Sequence, residues 1–136
     1  MLYGCCGKVD CMSGGYFKFR LLNKVDSTDL VFCNNKKYLT NNILLYSKYN
    51  TGIDTVYKSI FYNYGIQTCD STMTAFFYKP YEKIYIRLDS NTVDSLELKY
   101  NYFRNKCCGD GFAITSLKYN NNTVRKDSTD TYNIYK

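Results

Sequence analysis

Seven cysteines, at positions 5, 6, 11, 33, 69, 107 and 108, are the side chains best equipped for covalent chemistry in this 136-residue chain. Thiolates can hold a metal, turn over as redox groups or close disulfides. None of the seven falls in a CxxC pair, and the chain has no His to complete a mixed zinc site. Cys6, Cys11, Cys107 and Cys108 make the one conceivable thiolate set, at spacings unlike the familiar zinc ribbons. A redox thiol needs a nearby cation or helix N-terminus to acidify it; Arg104 and Lys106 flank Cys107-Cys108, but no helix is predicted there. No metal and no cofactor is expected. So many cysteines in a small β-rich chain fit disulfides in an oxidising compartment, with Cys6, Cys11, Cys33, Cys69, Cys107 and Cys108 as candidates. A bond between the adjacent Cys107 and Cys108 would strain the peptide between them, so each is expected to reach a different partner, one of them clamping the N-terminal segment through Cys6 or Cys11. Cys33 and Cys69 can bridge two sheets or a sheet and a loop; alternatively, Cys33 is simply buried at the end of an apolar run.

Acid–base chemistry has little to work with. The missing His removes the side chain that titrates nearest neutrality, and the two Glu, Glu82 and Glu97, form no paired-carboxylate motif. There is no phosphate loop, no Ser-centred elbow and no basic run with interleaved aromatics. The net charge of +6 is spread singly along the chain, apart from Lys36-Lys37 and Arg125-Lys126, and reads as solubility; nucleic acid is not an expected partner. What remains is aromatic: 16 Tyr and 8 Phe with no Trp. Eight Tyr (46, 49, 57, 62, 64, 78, 81 and 85) crowd the middle of the chain. Of these, Tyr57, Tyr62, Tyr64, Tyr78 and Tyr85 are the candidates for a sugar- or protein-binding surface, since Tyr offers a flat apolar face with a hydroxyl.

The elements that must carry these groups are strands. Short runs alternate between apolar and polar residues and are separated by Asn, Asp, Ser and Gly clusters. Clear examples are 16–22, with Phe17, Phe19 and Leu21 on one face, 83–88, with Ile84, Ile86 and Leu88, and the Leu96, Leu98, Tyr100, Tyr102 face. Further strands are predicted at 30–33, 43–48, 55–62, 73–79, 112–119 and 132–135, with loops at 49–54 and 65–71. No 3.6-residue periodicity and no membrane-spanning run is present. The expected fold is all-β, an antiparallel β-sandwich of about eight strands with little or no helix. Residues 1–15 are expected to form an anchor or tether and 16–136 a single domain.

Three resemblances bear on location. Leu2-Tyr3-Gly4-Cys5 resembles the lipobox of bacterial lipoproteins, which implies acylation of Cys5 and leaves an even six cysteines to pair. The segment 16–32, YFKFRLLNKVDSTDLVF, the segment IYIRLDSNTVDSLELKY from Ile84, and Cys107-Cys108-Gly109 followed by Leu117-Lys118-Tyr119-Asn120 are similar to small β-rich lipoproteins of unknown function from Bacteroidota. That resemblance implies an envelope address and a β fold, and no activity. Seven of the ten Asp precede Ser or Thr. Five of these pairs resemble the Bacteroidota O-glycosylation motif, which would place glycans on Ser27, Thr55, Ser71, Ser95 or Ser128 in exposed turns; the same pairs also suit plain Asx turns. The expected function is therefore a non-enzymatic, lipid-anchored envelope protein, periplasmic or on the outer-membrane surface, that binds an unidentified protein or glycan. The rivals are a cytosolic thiolate metal protein and an enzyme built from Asp, Tyr and Lys groups.

Overall fold

A computed structural model describes residues 15–33, 36–49, 52–61, 69, 71–105, 107 and 109–136. Among them are nine strands: β1 (Gly15–Leu22), β2 (Leu44–Tyr49), β3 (Gly52–Phe61), β4 (Thr72–Phe77), β5 (Lys83–Arg87), β6 (Val93–Asn105), β7 (Gly109–Tyr119), β8 (Asn122–Val124) and β9 (Thr131–Tyr135). The one helical element described is a 3-10 turn, Thr40–Asn42. The all-β class is as expected. The strands form one sheet in the order β8-β7-β6-β5-β2-β3-β4-β1-β9, and β9 runs parallel to β1 while the other pairs are antiparallel. The sheet coils until it is nearly a barrel: β1 comes against β7 and β8 against β9.

Alternation sets the inside. Phe17, Phe19 and Leu21 of β1 pair with strands whose own inward residues are Met73, Ala75 and Phe77 on β4, and Tyr132 and Ile134 on β9. Ile84 and Ile86 of β5, Leu96 and Leu98 of β6 and Leu117 of β7 continue the same buried layer. A β-bulge keeps β7 in phase. Register shifts between Lys99 and Tyr100, leaving Thr115 as the extra residue, so inward parity passes from Leu117 and Tyr119 to Phe112 and Ile114. Phe77 centres a ring cluster with Phe17, Tyr81, Tyr100 and Phe112. Gly15 is required beside it, because a Cβ there would stand 2.8 Å from the Phe112 ring.

The predicted strand at 30–33 is not one. Asp29 Oδ1 accepts the N–H groups of Val31 (2.7 Å) and Phe32 (2.9 Å) and bends the chain. Leu30, Val31 and Phe32 are therefore all buried in succession, joining Tyr38 and Ile43 in the core, where a strand would bury alternate residues. The predicted loop at 49–54 is also shorter, since β3 begins at Gly52. β8 was missed: three residues, with only Val124 packed on the core, carry too little pattern.

Strands β8 and β9 are not ladder neighbours, and side chains span the seam between them. Asp94, on β6, accepts hydrogen bonds from the Tyr119 hydroxyl, from Asn120 Nδ2 at 3.0 Å and from Lys136 Nζ at 2.5 Å. Burial works to raise its carboxyl, but these donors outweigh burial and hold it below the usual range. Asp127 sits in an Asx turn that receives the Thr129 hydroxyl and N–H, and these donors, with the Thr131 N–H and the Asn133 amide, hold it down at about 2. Both depressed carboxyls contribute stability that is complete above the ordinary range and is lost as pH falls through their folded values. Asp29, raised by burial, works in the opposite sense. The expected acid limb of unfolding therefore lies between about pH 4 and about pH 2. Urea titrations across that range should show the midpoint falling in the native chain and falling less in Asp127→Asn; an unchanged limb in the variant would contradict this account.

Candidate functional site: the outer face of the sheet

The alternation that buries one set of residues turns the other set outward, and the register decides which of these become neighbours. Tyr16 of β1 lies opposite Phe76 of β4, and Phe76 lies opposite Tyr57 of β3. The three rings stand side by side across adjacent strands, with centroids 6.3 Å and 6.0 Å apart. They remain exposed, at 48%, 40% and 68%. Leu44 extends the row: it precedes Leu45, the partner of Val56, and is itself exposed. A second outward pair lies one rung along. Tyr46 of β2 and Tyr85 of β5 are directly opposed and stacked at 5.4 Å, and Lys48 Nζ lies 4.5 Å from the Tyr85 ring centre.

Of the predicted aromatic residues, Tyr57 belongs to the exposed row and Tyr85 to the stacked pair. Tyr78 is exposed just beyond β4, and Tyr62 and Tyr64 lie outside the described residues. Sequence reasoning missed Tyr16 and Phe76. Phe76 sits next to Phe77 in an apolar run where alternation is silent, and only pairing with Tyr16 and Tyr57 shows which of the two faces out.

Cys33 and Cys69 form a disulfide, with Cα atoms 4.8 Å apart. Cys107 is also disulfide-bonded, and so has no thiolate to offer a metal. Cys5, Cys6 and Cys11, with residues 1–14 of the expected tether, lie outside the described residues, and so does Cys108. Among the O-glycosylation candidates, Ser27 and Ser128 are exposed in Asx turns of one design, in which Asp26 and Asp127 each accept the N–H and hydroxyl of the Thr two residues on. Thr55 and Ser95 lie within strands and not in turns. Ser71 is fully buried, contrary to the exposed turn expected for it, because it enters β4 where successive residues are covered.

Asp, Tyr and Lys groups do meet, at Asp94, Tyr119 and Lys136. Burial and the Asp94 carboxylate push the Tyr119 phenol far above its ordinary value, so it stays protonated and donates. Tyr119 and Lys136, like the Asn120 amide, are spent as donors on the one Asp94 carboxylate. The chemistry of the arrangement is that of a tie across the seam. A looser copy joins Tyr81 to Asp54 at 2.7 Å, with Lys79 at 3.8 Å.

The chain matches no protein-family model, no curated protein and no solved structure.

Proposed function

We propose that the chain is a non-enzymatic binding or accessory module of the bacterial cell envelope, lipid-anchored through Cys5, that receives an envelope protein or glycan on the Tyr16–Phe76–Tyr57 row. The observation that carries this reading is the row itself: three aromatic side chains left exposed next to one another on adjacent strands. Monomeric soluble domains seldom leave contiguous apolar surface uncovered without a use for it. Aromatic anchors dominate binding energy because they bury large area with few rotatable bonds. The strands beneath them are paired in a continuous ladder that fixes their backbones, so docking has little backbone to order. The Cys33–Cys69 bond favours an oxidising compartment, and the resemblance of Leu2-Tyr3-Gly4-Cys5 to a lipobox favours a lipid anchor there.

The test is made in a Bacteroidota host, where the chain is labelled with an alkyne fatty acid and carries a photo-crosslinking amino acid at Tyr57 or, as control, at the exposed turn residue Val25. The expected result is lipid labelling that Cys5→Ala abolishes, together with a discrete crosslinked adduct from position 57 and none from position 25. Labelling that survives Cys5→Ala would remove the anchor, and identical crosslinks from both positions would remove the aromatic site.

A further inference from the structure

Beside the aromatic row, on residues of its own, the sheet's outer face carries five of the chain's 18 Lys and Arg residues. We propose that the outer face of β2, β5, β6 and β7 binds a linear carboxylated polysaccharide along a strip formed by Lys48, Lys83 and Lys118.

The register places these residues. Lys83 lies opposite Glu97, and Glu97 lies opposite Lys118. Tyr46 lies opposite Tyr85, so Lys48, two residues after the first, and Lys83, two before the second, fall on the same next rung of an antiparallel pair. The strip therefore crosses four adjacent strands, which are spaced about 4.8 Å apart. Arg87 and Lys99 flank it on the same outward face, where Glu97 stands within the strip, Glu82 beside Lys83 and Lys99, and Asp89 beside Arg87, so five cations face three carboxylates. None of the five makes an ion pair among the described residues. Glu97 offsets Lys83 and Lys118 in part, but Lys48 and Lys83 are like charges on one rung, a repulsion that a bound polyanion would relieve.

The tyrosines steady the cations. Lys48 Nζ stands 4.5 Å and Lys83 Nζ 5.6 Å from the Tyr85 ring centre, so both ammoniums are drawn to one π face system and lose little freedom on meeting a ligand. The same contacts argue against single-stranded nucleic acid, which needs free ring faces for its bases; Tyr85 is already engaged by Tyr46 and two ammoniums. A bilayer fits poorly too. The strip runs around the coiled sheet, and a flat membrane touches a convex wall along a line only, whereas a flexible polymer follows the curve. Tyr and Ser hydroxyls beside the cations, on Tyr46, Tyr85 and Ser95, suit sugar hydroxyls.

Polygalacturonate is the probe, titrated calorimetrically against the full chain, with dextran, oligo-dT and phosphatidylglycerol vesicles as comparators. Binding to polygalacturonate alone, weakening with salt, is expected. Lys48→Gln/Lys83→Gln should weaken it about fivefold. Lys24→Gln/Lys36→Gln, with the same loss of net charge away from the strip, should change it less than about twofold. Circular dichroism of both variants checks the fold. No binding, an equal loss in both double variants, or tighter binding to oligo-dT or vesicles would each overturn the proposal. Because the aromatic row is untouched by these variants, its own test stands or falls separately.

Discussion

Phe77→Ala is expected to lower the unfolding free energy by about 3–5 kcal/mol, while Phe76→Ala, one residue earlier, lowers it by no more than about 1 kcal/mol. The two side chains leave β4 on opposite faces. Phe77 is buried and lies 6.0–6.3 Å, centre to centre, from the rings of Phe17, Tyr81, Tyr100 and Phe112. Its loss opens a cavity that the surroundings cannot refill, because Gly15 stands on one side with no side chain and Tyr100 is held by its hydroxyl on the Tyr81 carbonyl at 2.5 Å. Burial raises the Tyr100 phenol well above its ordinary value, so at neutral pH it is protonated and donates. Phe76 meets the rings of Tyr16 and Tyr57, and all three are exposed. Chemical denaturation of both variants decides the matter. Equal losses would mean that the inward and outward faces of β4 are wrongly assigned, and the aromatic row would fall with them.

Cys33→Ala/Cys69→Ala is expected to cost roughly 3–4 kcal/mol, from the chain entropy restored to the unfolded state when a loop of this length is released. The bond joins positions 36 apart in sequence. It ties the buried 30–32 segment, held by Asp29, to the chain just ahead of β4. Full reduction of the native chain should cost more than the double substitution, because the Cys107 bond opens as well. Denaturation midpoints with and without reductant measure both effects. A double variant as stable as the native chain would show that the bridge contributes nothing to the fold, and would take away the strongest support for an oxidising compartment.

The three clearest strands of the fold were legible where alternation was unbroken. Residues 16–22, 83–88 and 96–102 each carry a period of two, and the structure buries Phe17, Phe19, Leu21, Ile84, Ile86, Leu96 and Leu98 as that period requires. Legibility failed where a side chain competed with the ladder for the backbone. At 30–33 the apolar run looks like a strand, but the Asp29 carboxylate takes the N–H groups that a neighbouring strand would need. The β7 bulge was equally invisible, since an extra residue such as Thr115 has no signature of its own and is defined only by the partner it lacks.

Of the candidate site, Tyr57, Tyr78 and Tyr85 were nameable, and Tyr46 stood in the same crowd of tyrosines, yet Tyr16 and Phe76 were not. Tyr16, Phe76 and Tyr57 come from three strands, and Lys48, Lys83 and Lys118 from three others. In sequence these cations read as charge spread thinly for solubility.

By itself, then, the sequence determined the strand class, the inward residues of the well-alternating strands and the sulfur available for bridges, because a period of two is a local property of one segment. Only the tertiary structure decided which strands lie side by side, that Cys33 meets Cys69, and that scattered aromatic and basic residues form surfaces. Those facts depend on register between distant segments, which burial and backbone hydrogen bonding settle together for the whole sheet.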